Sequence, residues 1–126
     1  MTDHYNKALD ASQLILYCAF IYWLSDQPSL PAPMLFIHQD KVMHAGAYFI
    51  LAFFTVGAFR HFKASLSTLI ISSFIFASLY GASDEWHQSF VPGRMSDTFD
   101  WLADTLGALL FLGFYFYFRS KLYTLN

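Results

Sequence analysis

The sequence predicts an all-α integral membrane four-helix bundle with both termini cytoplasmic. Three observations carry this: a scarcity of charge, four apolar runs of bilayer-spanning length, and a lopsided placement of Lys and Arg. Of 126 residues, 13% are charged and 56% hydrophobic. A soluble domain carries about 25% charged residues, so this chain lacks the charge to cover a wet surface. Aromatics at 21% exclude disorder, which needs few aromatics and high net charge. A net charge of −2 excludes the basic footprint of a nucleic-acid binder. The length fits one domain, residues 1–126. The lone Cys18 has no partner for an internal disulfide.

The four spans are expected at residues 8–25, 42–62, 66–83 and 98–118, each near the roughly 20 residues that cross a hydrocarbon core. A helix satisfies its own backbone polar groups in lipid. Asp10, Ser12 and Gln13 interrupt the first run, and Asp104 sits about one turn inside the fourth. The first run is read as an uncleaved span, since Ser25-Asp26-Gln27-Pro28 offers no small-x-small cleavage pattern. Pro28, Pro31 and Pro33 stop the first helix and stiffen the connection that follows. Residues 60–65 form a tight basic turn, and Pro92-Gly93 marks another turn.

Lys7, Arg60, Lys63, Arg119 and Lys121 fall on one side of the four spans, and Lys41 and Arg94 on the other. That puts the first side in the cytoplasm. The acidic residues skew the opposite way, with Asp26, Asp40, Asp84, Glu85, Asp97, Asp100 and Asp104 at the outer end. Trp23, Trp86 and Trp101 also lie at outer ends, where indole prefers the headgroup level, and Tyr115, Tyr117 and Tyr123 suit the inner interface.

Three polar constellations gather at the outer ends. In Asp40-Lys41-x-x-His44-x-x-x-Tyr48, helical spacing puts Lys41, His44 and Tyr48 on one face. Its plain structural reading is an Asp40 N-cap, a snorkelling Lys41 and a satisfied core His44. In Tyr80-x-x-x-Asp84-Glu85-x-His87-Gln88, Tyr80, Asp84 and Gln88 share a stripe. Adjacent carboxylates at membrane depth are costly, which favours a functional role over a wet helix end. In Pro92-Gly93-Arg94-x-Ser96-Asp97-x-x-Asp100-x-x-x-Asp104, the last three acids fall on one helical face. Ser96 or Asp97 can cap. Asp104 lies too deep for capping and should meet Arg94, Lys41 or His44 inside the bundle. Gly107, Ala108 and Gly113 permit close helix contact.

No H-E-x-x-H or Cys/His ligand spacing occurs, so no metal and no cofactor is expected. Ser83, Ser89 and Ser96 could be set beside a His and an Asp on paper, but no nucleophile-elbow pattern supports them. His4, His38 and His61 carry no assignment.

Taken together, Asp40-Lys41-x-x-His44-x-x-x-Tyr48, Asp84-Glu85-x-x-Gln88-x-Phe90-x-Pro92-Gly93-Arg94, and Ser96-Asp97-x-x-Asp100 with Gly107 resemble the VanZ-like family. These are small multi-helix bacterial membrane proteins named for a member associated with teicoplanin resistance. The likeness runs from about residue 25 to 113 and is most specific in the Glu-x-x-Gln-x-Phe-x-Pro-x-Arg stretch. It implies that His44, Glu85, Gln88, Arg94 and Asp100 occupy the family's characteristic polar positions. Asp104 departs from the pattern, where Asn is common.

The resemblance implies a place in the cell envelope, in the inner membrane, and an effect on glycopeptide susceptibility. Residues and resemblance together support three functional readings. The first is binding, with Lys41, Gln88, Arg94, Asp97, Asp100 and Asp104 forming an outward site among membrane lipids for a lipid-linked or peptidoglycan-related anion. Arginine suits this through its paired bonds to phosphate or carboxylate. The second is an enzyme acting on a lipid-linked intermediate, with His44, Asp84 and Glu85 as acid and base. The third, ranked last, is a small proton-coupled transporter, disfavoured because Thr55 is the only polar side chain between Phe49 and Phe59.

Overall fold

The computed structural model describes residues 2–29 and 33–124, with side chains at 4–29 and 33–122. The elements run α1 (Thr2–Ser25), α2 (Gln39–Phe59), a 3-10 turn (Arg60–Phe62), α3 (Leu66–Gln88) and α4 (Thr98–Thr124). Among the described residues there is no strand. Four stretches, His4–Ser25, Gln39–Phe62, Leu66–Gln88 and Thr98–Leu122, are each long and apolar enough to cross a membrane. The helices outrun the expected spans, because their polar ends stay helical: Asp84 to Gln88 complete the last turn of α3, and Gln39 to Lys41 open α2. The expectations for Pro31 and for the Tyr123 side chain lie outside the described residues.

The bundle inverts the usual distribution of polarity. Its exposed side chains include Ile15, Leu16, Phe20, Ile71, Ile75, Leu106, Leu110 and Phe114. Its buried ones include Thr55, Ser73, Asp84, Glu85, Gln88, Asp100 and Asp104. In water such an apolar surface would aggregate. In lipid it is the solvated face, and the polar interior is the part that needs partners.

α2 is the centre of the packing. Tyr48, Leu51, Ala52 and Val56 join Leu14 and Ile21 of α1, Leu69 and Ala77 of α3, and Ala108 and Leu112 of α4 in one core. Phe111 sets its ring edge-on to Phe49 and Phe53, a favoured aromatic geometry. Gly107 sits against the backbone of Ala45, so α2 and α4 touch through main chain. This is the close contact the small residues allow. Gly113 does not take part: nothing lies within 4 Å of where its Cβ would be, because its position faces away from the other helices.

The connections are fixed locally. Gln39 braces the first one, accepting from Leu35 N–H at 2.7 Å and donating to the Pro33 carbonyl at 3.1 Å. Asp40 is not the N-cap of α2. That position falls to His38, in the left-handed region with no side-chain cap bond, so Asp40 stands in the first turn and is free to meet Lys41. Lys63 reverses the chain with φ 53, and Ser65 caps α3 by accepting from Thr68 N–H at 3.1 Å. Asp97 caps α4, accepting from Phe99 N–H at 2.9 Å.

Candidate functional site

The C-terminal ends of α1 and α3 and the N-terminal ends of α2 and α4 meet at one end of the bundle. Every sequence-predicted site residue lies there.

Lys41, in the first turn of α2, is the hub of an ion cluster. Its ammonium donates to Asp40 at 2.9 Å, Asp97 at 2.7 Å and Asp100 at 2.6 Å. An ammonium has three protons to give, so these three carboxylates saturate it. The cluster ties the start of α2 to the start of α4. Its bond to Lys41 holds the Asp97 carboxyl below the usual carboxylate range, with the Phe99 N–H helping.

One turn deeper, His44 Nδ1 lies 2.8 Å from Asp104 Oδ1, and His44 Nε2 lies 3.8 Å from Asp100 Oδ2. Asp104 is fully buried. Of the three partners the spacing allowed it, Asp104 takes His44. Gly81 of α3 makes room, since a Cβ there would meet Asp104 Oδ2 at 3.0 Å and the Tyr48 ring at 3.3 Å. Glu85 reaches across from the last turn of α3 and accepts from Asp97 N–H at 2.8 Å through Oε2. Glu85 Oε1, Asp104 Oδ2 and the Tyr48 hydroxyl are buried and have no hydrogen-bond partner among the described residues. One ligand atom from each of His44, Glu85 and Asp104 falls within 4.8 Å of the others.

Beside this layer a cavity of about 80 Å³ is lined by Ile21, Leu24 and Ser25 of α1, Met43, His44 and Ala47 of α2, Asp84 and Gln88 of α3, and Arg94. Arg94 makes no ion pair within 4.0 Å among the described residues, and its Nε is buried without a partner. Gly93, at φ +85, lets the Arg94 loop turn tightly beneath Pro28, whose carbonyl would sit 3.3 Å from an added Cβ.

Some expected companions are absent. Tyr80 lines a cavity with Asp84, but its hydroxyl donates to the Cys18 carbonyl at 2.6 Å, joining α3 to α1. Ser83 and Ser89 bond their own helix carbonyls at Tyr80 and Trp86, so neither is set beside a His–Asp pair. His87 pairs with Asp26 at 3.1 Å, outside the cluster. Trp101 is drawn inward, its indole N–H donating to the Ser78 carbonyl at 3.0 Å.

Sequence spacing did not link Glu85 to His44 and Asp104, because the three come from three helices. The one available signal was their common depth from the span ends. At the opposite end, Asp10, met in the sequence only as an interruption, accepts from Arg60 at 2.7 Å and lies 2.7 Å from His61 Nε2. It lines a larger cavity of about 300 Å³ with Phe54, Gly57 and Tyr115. Size does not choose between the ends, since a cavity of about 330 Å³ lined by Tyr22, Tyr80, Ser83, Asp84, Trp86 and His87 lies at the polar end. The Asp10 cavity holds one carboxylate already paired to two bases, whereas the smallest adjoins unpartnered polar atoms.

Searches of curated proteins and of solved structures found no match to the chain. A family model described as VanZ/LLP1 matches residues 13–119 and so takes in the second half of α1, all of α2 and α3, most of α4 and every residue of the Lys41 and His44 layers. The chain is a multi-pass membrane protein of the VanZ/LLP1 family.

Proposed function

We propose that this protein binds an anionic group of the bacterial cell envelope, lipid-linked or peptidoglycan-related, at the polar end of the bundle. In this reading that end faces outward from the inner membrane, both termini are cytoplasmic, and binding alters susceptibility to glycopeptide antibiotics. The observation that carries it is Arg94: a guanidinium beside a half-apolar cavity, with a buried Nε unpaired and no carboxylate within ion-pair distance among the described residues. A guanidinium so placed is a ready partner for phosphate or carboxylate. Gln88 would add an amide donor, and Ile21, Leu24, Met43 and Ala47 would accept an apolar tail. Lys41 takes a supporting part here, because Asp40, Asp97 and Asp100 already use its three protons. The positive-inside pattern of the sequence supports the orientation.

The test is binding of a long-chain isoprenoid phosphate to the full chain in nanodiscs. Arg94→Ala should weaken it by roughly 1.5–3 kcal/mol, the worth of a hydrogen bond to a charged group, while Arg60→Ala leaves it unchanged. Equal binding by wild type and Arg94→Ala would refute the proposal, as would equal glycopeptide susceptibility of cells carrying either form.

One observation favours a second reading, an enzyme acting on the same class of envelope intermediate. His44 and Asp104 stand 2.8 Å apart with Glu85 close by, which is an acid–base arrangement. Turnover of lipid-linked phosphates that Glu85→Gln abolishes would favour it over simple binding.

A further inference from the structure

The His44–Glu85–Asp104 layer has a composition that neither an anion site nor a structural ion pair requires. One imidazole and two carboxylates converge from α2, α3 and α4, with one ligand atom from each inside 4.8 Å. Glu85 is 5% exposed and Asp104 0%, so neither relies on bulk water.

Each keeps an oxygen without a hydrogen-bond partner among the described residues, Glu85 Oε1 and Asp104 Oδ2. The Tyr48 hydroxyl, 1% exposed and also unpartnered, lies in electrostatic range of both. Buried polar atoms are almost always paired, and three unpartnered ones on residues of this layer mark a missing partner.

Charge gives the same sign. Among the described residues this end holds seven carboxylates, Asp26, Asp40, Asp84, Glu85, Asp97, Asp100 and Asp104, against two permanent cations, Lys41 and Arg94. Lys41 is spent on Asp40, Asp97 and Asp100, and Asp26 pairs with His87. Asp84, Glu85 and Asp104 are left with Arg94 and a single imidazole. Carboxylates crowded at membrane depth need a counter-charge or a proton.

We propose that His44, Glu85 and Asp104 bind a first-row divalent cation. Imidazole nitrogen with carboxylate oxygen suits Zn²⁺ or Mn²⁺ better than the all-oxygen preference of Mg²⁺ or Ca²⁺. Three protein ligands leave a coordination position open, as catalytic zinc sites do. The site adjoins the Arg94 cavity, which His44 also lines, but Arg94 is not among its ligands, and metal retention is measured with no anionic ligand present, so the two readings fail separately.

The experiment uses the full chain with any affinity tag removed, in nanodiscs of zwitterionic lipid. It is equilibrated with Zn²⁺ or Mn²⁺, passed through a desalting column, and its metal measured by mass spectrometry. The wild type should retain one ion per chain. His44→Ala, Glu85→Gln and Asp104→Asn should each lower retention by at least about tenfold, since even changes to groups around a metal ligand cost 10–100-fold. Asp26→Asn should retain the wild-type amount. X-ray absorption of the loaded wild type should show an imidazole among light N/O donors near 2.0–2.2 Å for zinc, and this decides the matter if a variant fails to fold. Metal-free wild type, retention equal in all three variants, or a spectrum without imidazole each overturns the proposal.

Discussion

Gly107 of α4 lies against the backbone of Ala45 in α2 so closely that a Cβ on Gly107 would overlap the Ala45 carbonyl. Backbone cannot swing aside as a side chain can. Gly107→Ala should therefore force α2 and α4 apart and cost about 1–3 kcal/mol, the usual range for overpacking. Gly113→Ala and Gly57→Ala meet nothing within 4 Å. They should be neutral or stabilising by up to about 1 kcal/mol through helix propensity. Thermal unfolding of the three variants in one detergent checks the contrast.

Removing the Lys41 ammonium strands Asp100, a nearly buried carboxylate, and Asp97 with it. Lys41→Met should destabilise by about 2–4 kcal/mol, somewhat less than the 3–5 of a fully buried broken pair, because Lys41 keeps some exposure. The triple variant Lys41→Met, Asp97→Asn, Asp100→Asn should recover part of the loss. Unfolding midpoints of Lys41→Met, of Asp97→Asn with Asp100→Asn, and of the triple variant close a cycle that measures the coupling.

Asp97 makes the acid response specific. Its carboxyl is held down in the folded protein by Lys41, so the unfolded chain binds that proton more tightly. The stabilisation is fully present above the ordinary carboxylate value of about 3.9 and is lost as pH falls through the lowered folded value. Midpoints measured from pH 7 down to pH 3 should fall less steeply in Asp97→Asn than in wild type. Parallel curves would count against the assignment.

Gly81→Ala tests the support of Asp104. The new methyl would stand 3.0 Å from Asp104 Oδ2, 3.2 Å from its Cβ and 3.3 Å from the Tyr48 ring. The carboxylate must shift by a few tenths of an ångström, enough to disturb the 2.8 Å contact with His44. The variant should fold, with helical content unchanged by circular dichroism, and should hold zinc or manganese more weakly than wild type.

At the opposite end Arg60 is more than half exposed in its pair with Asp10. Arg60→Ala should cost under about 1 kcal/mol, as exposed pairs do, and the His61–Asp10 contact should persist. A large loss of thermal stability would show that the pair is held more tightly than its exposure implies.

The helices and the end of the bundle that carries the polar groups were legible because lipid imposes run length and polar residues punctuate the runs. The pairing of Asp104 was legible to within three partners. Its depth required an interior cation, but which one depends on the rotation of α2 against α4, and that rotation is set by the Gly107–Ala45 contact. Tyr80 shares a cavity with Asp84, as helical spacing gives, but the partner of its hydroxyl was not legible, because the Cys18 carbonyl belongs to α1. The convergence of His44, Glu85 and Asp104 carried no spacing signal, since it is made by three helices meeting. The Asp97–Asp100–Asp104 face was legible from helical spacing, and the two bases of α2 read it in order: Lys41 bonds Asp97 and Asp100, and His44 lies against Asp100 and Asp104.

The inverted polarity of the bundle bears on how much of the chain is answerable to selection. Where Leu106, Leu110 or Ile75 faces acyl chains, one bulky aliphatic serves as well as another, and such positions can drift without a trace in the fold. At the polar end the opposite holds, because each of Lys41, His44, Glu85, Asp100 and Asp104 is held by a named atom of another helix or is waiting for one. Tolerance to substitution should therefore vary by surface and not by helix: wide on the lipid face, narrow at the polar end and at the Gly107–Ala45 crossing, where one methyl is already too much.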